Sequence, residues 1–153
     1  MEIIKGNLLD SHEKIIAHGC NVRGVMGAGI AAQVARRWPF VLKYYEDTCR
    51  VGTFLPGAVQ PVDPGDPLGP EYVVNMATQI NPGPDARLHL IALAFGNLAE
   101  WMAYNGHHRV AIPKIGCGIG GLAWDDVENT IDLAMHDVYL RGHAIQVVCY
   151  ILP

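Results

Sequence analysis

The sequence predicts an α/β fold: a three-layer α/β/α sandwich around a central mixed sheet of about six strands. Two observations carry this. Short apolar, β-branched runs alternate along the chain with longer amphipathic stretches, which is the pattern of strands covered by helices on both faces. Two glycine-rich segments also follow such runs, Gly24-Val25-Met26-Gly27-Ala28-Gly29-Ile30 and Ile115-Gly116-Cys117-Gly118-Ile119-Gly120-Gly121. With 153 residues, half of them apolar, the chain can bury a core without disulfides or metals.

Taken in order, strands are expected at Glu2–Lys5 and Lys14–Gly19, both apolar and β-branched. A helix is predicted over Gly27–Arg37, stopped by Pro39, and a short second helix over Phe40–Asp47. A turn at Pro56-Gly57 leads into a strand at Ala58–Val62. The prolines and glycines of Asp63–Pro70 read as a loop, and Tyr72–Met76 as a buried strand. Asn81–Asp85 reads as a second loop, with Asp85 capping a helix over Ala86–Tyr104. Strand Arg109–Ile112, helix Asp125–Leu140 closed by Gly142, and strand Ala144–Leu152 complete the chain. No repeat or internal boundary interrupts this order, so residues 1–153 read as a single domain.

The two glycine loops carry the chemistry. A loop without Cβ atoms that opens a helix lets backbone N–H groups close on a phosphate, and the helix N-terminus adds positive potential. Two such loops in one domain point to a diphosphate held from both sides. The formal net charge of −4, with Lys and Arg scattered, argues against a face that grips long nucleic acid. No apolar run reaches the ~20 residues of a membrane helix. The start of the chain lacks the basic and apolar regions of a signal peptide, and a cytoplasmic monomer is expected. Cys20, Cys49, Cys117 and Cys149 show no Cys-x-x-Cys spacing and read as reduced thiols. His107-His108 has no Glu or Cys at ligand spacing, so neither metal nor cofactor is expected.

From Asn21 through both loops the chain resembles a macrodomain, the ADP-ribose-binding module. The order matches over the whole length: Gly6-Asn7-Leu8-Leu9 after the first strand, Asn21 after the second, the two loops, and an aromatic, Tyr150, on the last strand. Met26-Gly27-Ala28-Gly29-Ile30-Ala31, Pro113-Lys114-Ile115-Gly116-Cys117-Gly118-Ile119 and Leu122-Ala123-Trp124 are most similar to one branch of the superfamily. That branch contains the terminal ADP-ribose protein glycohydrolase and antitoxins that strip ADP-ribose from DNA. The resemblance implies ADP-ribose or an ADP-ribosylated protein as the partner. Asn7 would then bond the adenine amino group, Leu8 would pack on the base, and Tyr150 would lie against it. Asn21 would bond the distal ribose. Gly24, Val25, Met26, Gly27, Ala28 and Gly29 would enclose the diphosphate and distal ribose from one side, and Ile115, Gly116, Cys117, Gly118 and Ile119 from the other.

The sequence departs from the branch at two places. Its nucleophilic lysine position falls on Gln79 and its acid on Gly120, and neither side chain can do that chemistry. Both remain in the expected binding site. His18, at the end of the second strand, could act as general base near the distal ribose, or could be a partly buried histidine bonded to backbone. Asp85 could reach the same pocket or cap its helix. Lys114 is the nearest spare amine, though strand alternation sets it at the surface or core edge, and Arg87 reads as a solvated first-turn charge. Cys117, near a helix N-terminus, could have a lowered pKa or could simply fit.

The resulting expectation is an ADP-ribosyl hydrolase that cleaves mono-ADP-ribosyl esters on acidic side chains without the lysine and acid, with His18 and Asp85 assisting. An ADP-ribose-1″-phosphate phosphatase and a non-catalytic ADP-ribose reader are the alternatives. An oxidoreductase is disfavoured, because the first loop lacks the Gly-x-Gly-x-x-Gly spacing.

Overall fold

A computed structural model describes all 153 residues. Six strands form one sheet in the order β1-β6-β5-β2-β4-β3: β1 (Glu2–Lys5), β2 (Ile15–Cys20), β3 (Val59–Val62), β4 (Tyr72–Ala77), β5 (Arg109–Ile112) and β6 (Gln146–Ile151). All neighbouring pairs are parallel except the edge strand β3, which runs antiparallel to β4 with Val59 opposite Met76. The predicted mixed six-stranded sheet is therefore present. Four helices cover it: α1 (Gly29–Arg37), α2 (Pro39–Val51), α3 (Leu88–Tyr104) and α4 (Trp124–Leu140).

Strand alternation divides the core into layers. Ile15, Ala17, Val74, Met76, Val110, Ile112, Val147 and Cys149 point to the face covered by α3 and α4, where they meet Phe95, Leu98 and Ile131. Their neighbours Ile16, Val73, Ala111 and Val148 point the other way, onto Val34 of α1, Val41 of α2 and Trp38 at the junction between them. A third cluster, Cys20, Met26, Tyr45, Phe54 and Ala77, sits under the loop after β2.

Several element ends differ from those expected, each for a local reason. Helix α1 begins at Gly29 because Ala28 is still extended (φ −150°, ψ 163°). Helix α2 runs on past Asp47 to Val51 and stops where left-handed Gly52 turns its N–H back onto Thr48 and Cys49. Helix α3 starts at Leu88 because Ala86 is engaged elsewhere: its N–H donates to Gly120 O, and it forms a bridge with Gln79. The N-cap is accordingly Arg87, with no side-chain cap, and Asp85 does not cap this helix.

Candidate functional site

Strands β2, β4 and β5 lie side by side and end together. The chain leaves β2 for one face of the sheet and leaves β4 and β5 for the other, which opens a crevice at their carboxyl ends. The three following loops enclose a cleft of about 640 Å³ there, a size suited to a small ligand.

One wall is the loop into α1. Val25, Gly27, Ala28 and Gly29 line it, continued by Ile30 and Ala31. The opposite wall is Ile115, Gly116, Cys117, Gly118, Ile119 and Gly120, with Pro113 and Lys114 before them. The walls meet where Ile119 lies against Gly29: a Cβ built on Gly29, whose φ is +59°, would stand 3.3 Å from Ile119 Cδ1. Only glycine adopts that backbone and leaves that space at low cost.

The main chain of both walls is rich in unsatisfied donors. The N–H groups of Gly27, Ala28, Gly29, Ile30 and Ala31 find no acceptor in the protein, and α1 has no side-chain cap. The N–H groups of Gly118 and Ile119 across the cleft have none either. Two sets of free amides, one of them at a helix N-terminus, make a binding site for an anion with two charged groups.

The side chains expected to touch a ligand mostly do something else. Asn21 lines the cleft, but its Oδ1 accepts from Arg23 N (2.9 Å), Val25 N (3.4 Å) and Tyr45 Oη (2.9 Å), while its Nδ2 donates to Val25 O (2.8 Å). It shapes the first wall from within, and Tyr45 also donates to its carbonyl. Gln79 lines the cleft and donates to Asn81 O (2.6 Å) and Gly83 O (3.0 Å), which holds the turn between them. At Gly120 a Cβ would come within 2.9 Å of Ala86 Cβ, so the space a side chain would need there is taken by a neighbour.

Gly24 and Met26 stand outside the lining. The loop alternates: Val25 is exposed, Met26 turns inward onto Tyr45 and Phe54, and Gly24 lies over Cys49. Asn7, Leu8 and Tyr150 are outside it as well. Asn7 accepts from Leu9 N through Oδ1 (3.0 Å), which fixes that oxygen in place and leaves its second lone pair free. Leu8 is buried in the core, and Tyr150 donates its hydroxyl to Glu13 (2.9 Å).

His18 is the largest departure. On β2 it shares the α2 side of the sheet with Ile16 and Cys20, so its ring runs down the sheet face instead of off the strand end. It is 0% exposed and does not border the cleft. Nε2 is 2.7 Å from Asn75 Oδ1; Asn75 Nδ2 donates to Gln60 Oε1 (2.9 Å), and Gln60 Nε2 donates to Thr48 Oγ1 (2.7 Å). Thr48 in turn donates to carbonyls of α2. This one-way relay requires a proton on Nε2, and full burial keeps the ring neutral. Burial pushes the His18 pKa down to about 4, against the opposing bond to Asn75.

Asp85 is also outside the lining. Its Oδ2 accepts from Asn81 N (2.8 Å) and Ile80 N (3.2 Å), and Oδ1 pairs with Arg87 (3.1 Å). The bond from Asn81 N chiefly holds its carboxyl below the usual aspartate range, with Arg87 assisting. It is a brace for the loop after β4. Burial pushes the Cys117 thiol up, against the nearby Lys114, so that thiol is not activated.

Sequence reasoning passed over Gly19, Cys20, Thr78, Ile30, Ala31, Pro82, Gly83 and Pro113 as lining residues. The signals were position, since each adjoins a glycine loop or ends a predicted strand. Lys114, set aside as surface, lines the cleft and is exposed, with Nζ 5.8 Å from the Trp124 ring centroid. Apart from Cys20 and Cys117 it is the one ionisable side chain in the lining; no carboxylate or imidazole is there.

The family model described as Macro domain matches residues 17–131. The chain is a macrodomain. A curated relative, the DNA ADP-ribosyl glycohydrolase of Mycobacterium tuberculosis, is 33% identical over 126 residues, which cover 82% of this chain and 36% of the relative. This macrodomain thus spans about a third of that relative's length. The ADP-ribose 1″-phosphate phosphatase of Lodderomyces elongisporus is 28% identical, covering 77% of this chain and 79% of the relative. Among solved structures, the macrodomain of Mycobacterium tuberculosis DarG superposes with a TM-score of 0.84 at 30% identity, covering 97% of this chain and 95% of that one. No helix of this macrodomain is long and apolar enough to cross a membrane.

Proposed function

We propose that this macrodomain, residues 1–153 acting as one unit, binds ADP-ribose in the cleft and hydrolyses the bond joining it to a carrier. The observation that carries this reading is the pair of facing walls whose N–H groups have no acceptor of their own. They suit a diphosphate, and the glycine backbone lets it approach. The adenine would extend over Ile30, which lines the cleft and packs on the same core cluster as Tyr150, leaving Asn7, Leu8 and Tyr150 as base contacts. The distal ribose would lie between Asn21, Gln79 and Gly120.

Neither an amine at position 79 nor an acid at position 120 is present, so the chemistry rests on orientation. The walls fix the anomeric carbon against a water held by main-chain groups. As the water oxygen bonds to that carbon, the bond from the carbon to the carrier breaks and its electron pair leaves on the carrier atom. A diphosphate oxygen takes the water's proton and passes it to solvent or to the departing carrier. Lys114 offsets the charge that develops. His18 and Asp85 act on geometry, one beneath the sheet and one within the loop after β4.

The names of the relatives, a DNA ADP-ribosyl glycohydrolase and an ADP-ribose 1″-phosphate phosphatase, favour a hydrolase. Beside the acidic side chain of a protein expected from the sequence, DNA is therefore a second carrier to test. Release of ADP-ribose from a protein auto-modified on glutamate and aspartate, and from an ADP-ribosylated oligonucleotide, beside titration calorimetry with free ADP-ribose, tests the proposal. Binding with release from either carrier supports it. Binding with phosphate release from ADP-ribose-1″-phosphate would make the chain a phosphatase, and binding alone a reader. Absence of binding refutes the cleft assignment. Four free thiols and the lack of a spanning helix accord with a cytoplasmic monomer.

A further inference from the structure

Arg23 stands where the wall entering α1 meets the loop after β4. Its Nε donates to Asn81 Oδ1 (3.1 Å), and alongside it Val22 N donates to Ile80 O (3.2 Å). Both ends of this clasp are held. Arg23 N donates to Asn21 Oδ1, and Asn81 N donates to Asp85 Oδ2. The guanidinium is therefore fixed at its Nε edge beside Pro82 and Gly83, which line the cleft, while Nη1 and Nη2 make no hydrogen bond.

Its lack of a partner is unusual in this chain. Arg37, Arg50, Arg87, Arg109 and Arg141 each pair with a carboxylate, and Arg23 does not. Arg36 is the other unpaired arginine, and it lies at the far end of α1. A net charge of −4 supplies many carboxylates, yet the one nearest in this network, Asp85, is taken by Asn81 and Arg87 and does not pair with Arg23. A fixed, exposed fork of N–H donors matches a phosphate.

Resting on the reading of the cleft given above, we infer that Arg23 is a specificity-determining residue that binds a phosphodiester of a single nucleic acid strand next to its ADP-ribosylated base. The Asn21–Gln79 end of the cleft would hold the distal ribose, so the carrier leaves past the Arg23 clasp. An ester-linked glutamate brings no phosphate to that place; a nucleotide brings one. A single point contact of this kind is compatible with an acidic chain that lacks a broad basic face.

The test compares the unmodified chain, Arg23→Gln and Arg23→Lys. Three ligands are used: free ADP-ribose by calorimetry, and a fluorescein-labelled single strand or glutamate peptide, each ADP-ribosylated, by initial anisotropy read before turnover. Arg23→Gln should leave free ADP-ribose and peptide affinity within about twofold and weaken strand binding about three- to tenfold. The slope of log affinity against log salt for the strand should fall by about 0.7, the value of one phosphate contact. Arg23→Lys should keep that slope. An equal loss for all three ligands would make Arg23 only a loop brace and overturn the inference, as would an unchanged salt slope. If the unmodified chain fails to bind free ADP-ribose, the cleft reading itself falls and takes this inference with it.

Discussion

Stability should depend on pH through His18. The ring is neutral and fully buried, with a pKa lowered from 6.5 to about 4 in the folded chain. Between those values the unfolded chain binds the proton and the folded chain does not, so stability is full above 6.5 and falls as pH drops toward 4. The whole shift corresponds to about 3 kcal/mol, of which about 2 kcal/mol should already be lost near pH 5. The depressed carboxyls of Glu13, Asp66 and Asp85 act in the same direction, but only once the pH enters the ordinary carboxylate range, so the window above about pH 5 isolates His18. His18→Gln keeps a neutral donor for Asn75 and removes the titration. Urea unfolding at about pH 8, 6.5 and 5 should show the unmodified chain losing about 2 kcal/mol more than the variant. A parallel decline in both chains would refute the argument, as would an assigned His18 ring signal, absent from His18→Gln, that titrates near 6.5 in the folded state. The same measurement bears on catalysis, since a ring held neutral beneath the sheet cannot give the activity profile a histidine inflection.

Gly118 has φ +54° and open space beyond a built Cβ, so Gly118→Glu should cost about 1–2 kcal/mol in backbone strain and fill the cleft. Calorimetry should then find no ADP-ribose binding, and normal affinity would exclude the second wall as the diphosphate site. Gly120→Asp should lower stability by about 1–3 kcal/mol through the clash with Ala86, and Ala86→Gly should restore most of it; thermal melts of the two single variants and the double variant check this. Asp85→Asn should lower the melting temperature measurably but leave the rate of ADP-ribose release within about threefold, because Asp85 braces a loop and lies outside the cleft; a loss of about a hundredfold or more with unchanged affinity would restore it as a base. Asn21→Ala should weaken ADP-ribose binding at least about tenfold, since Arg23 N, Val25 N and Val25 O of the first wall and the Tyr45 hydroxyl beneath it all bond to this side chain, which keeps one Nδ2 hydrogen for the ligand; unchanged affinity would show that the wall holds its shape unaided.

The sheet and helices were legible because both periodicities are written in the side chains. Ile15-Ile16-Ala17 and Val110-Ala111-Ile112 can only be strands buried on both faces, and the structure divides each between two cores. The cleft walls were legible for a different reason, since glycine marks where backbone approaches backbone. Side-chain roles were not legible, and the cause is parity. Whether His18 leaves the strand end or runs along the sheet face depends on which neighbour sits beneath it, and Asn75, Gln60 and Thr48 come from three separate segments. Asp85, expected at the pocket or as a cap, instead braces the loop after β4, and Asn21, which does line the cleft, carries a bracing role that its sequence position did not reveal. Short polar side chains in tight loops most often satisfy their own backbone, and that demand outweighs a ligand's.

The free amides of the two walls also limit how this site can be lost. A binding group that belongs to the peptide unit is supplied equally by almost any residue, so no single codon encodes it. What heredity must preserve is the path of the chain, and that path rests on a few glycines and on the residues that brace them, such as Asn21, Tyr45 and Ala86. Affinity for the diphosphate can then persist while the surrounding surface drifts toward new carriers. A catalytic side chain, by contrast, is lost with a single substitution.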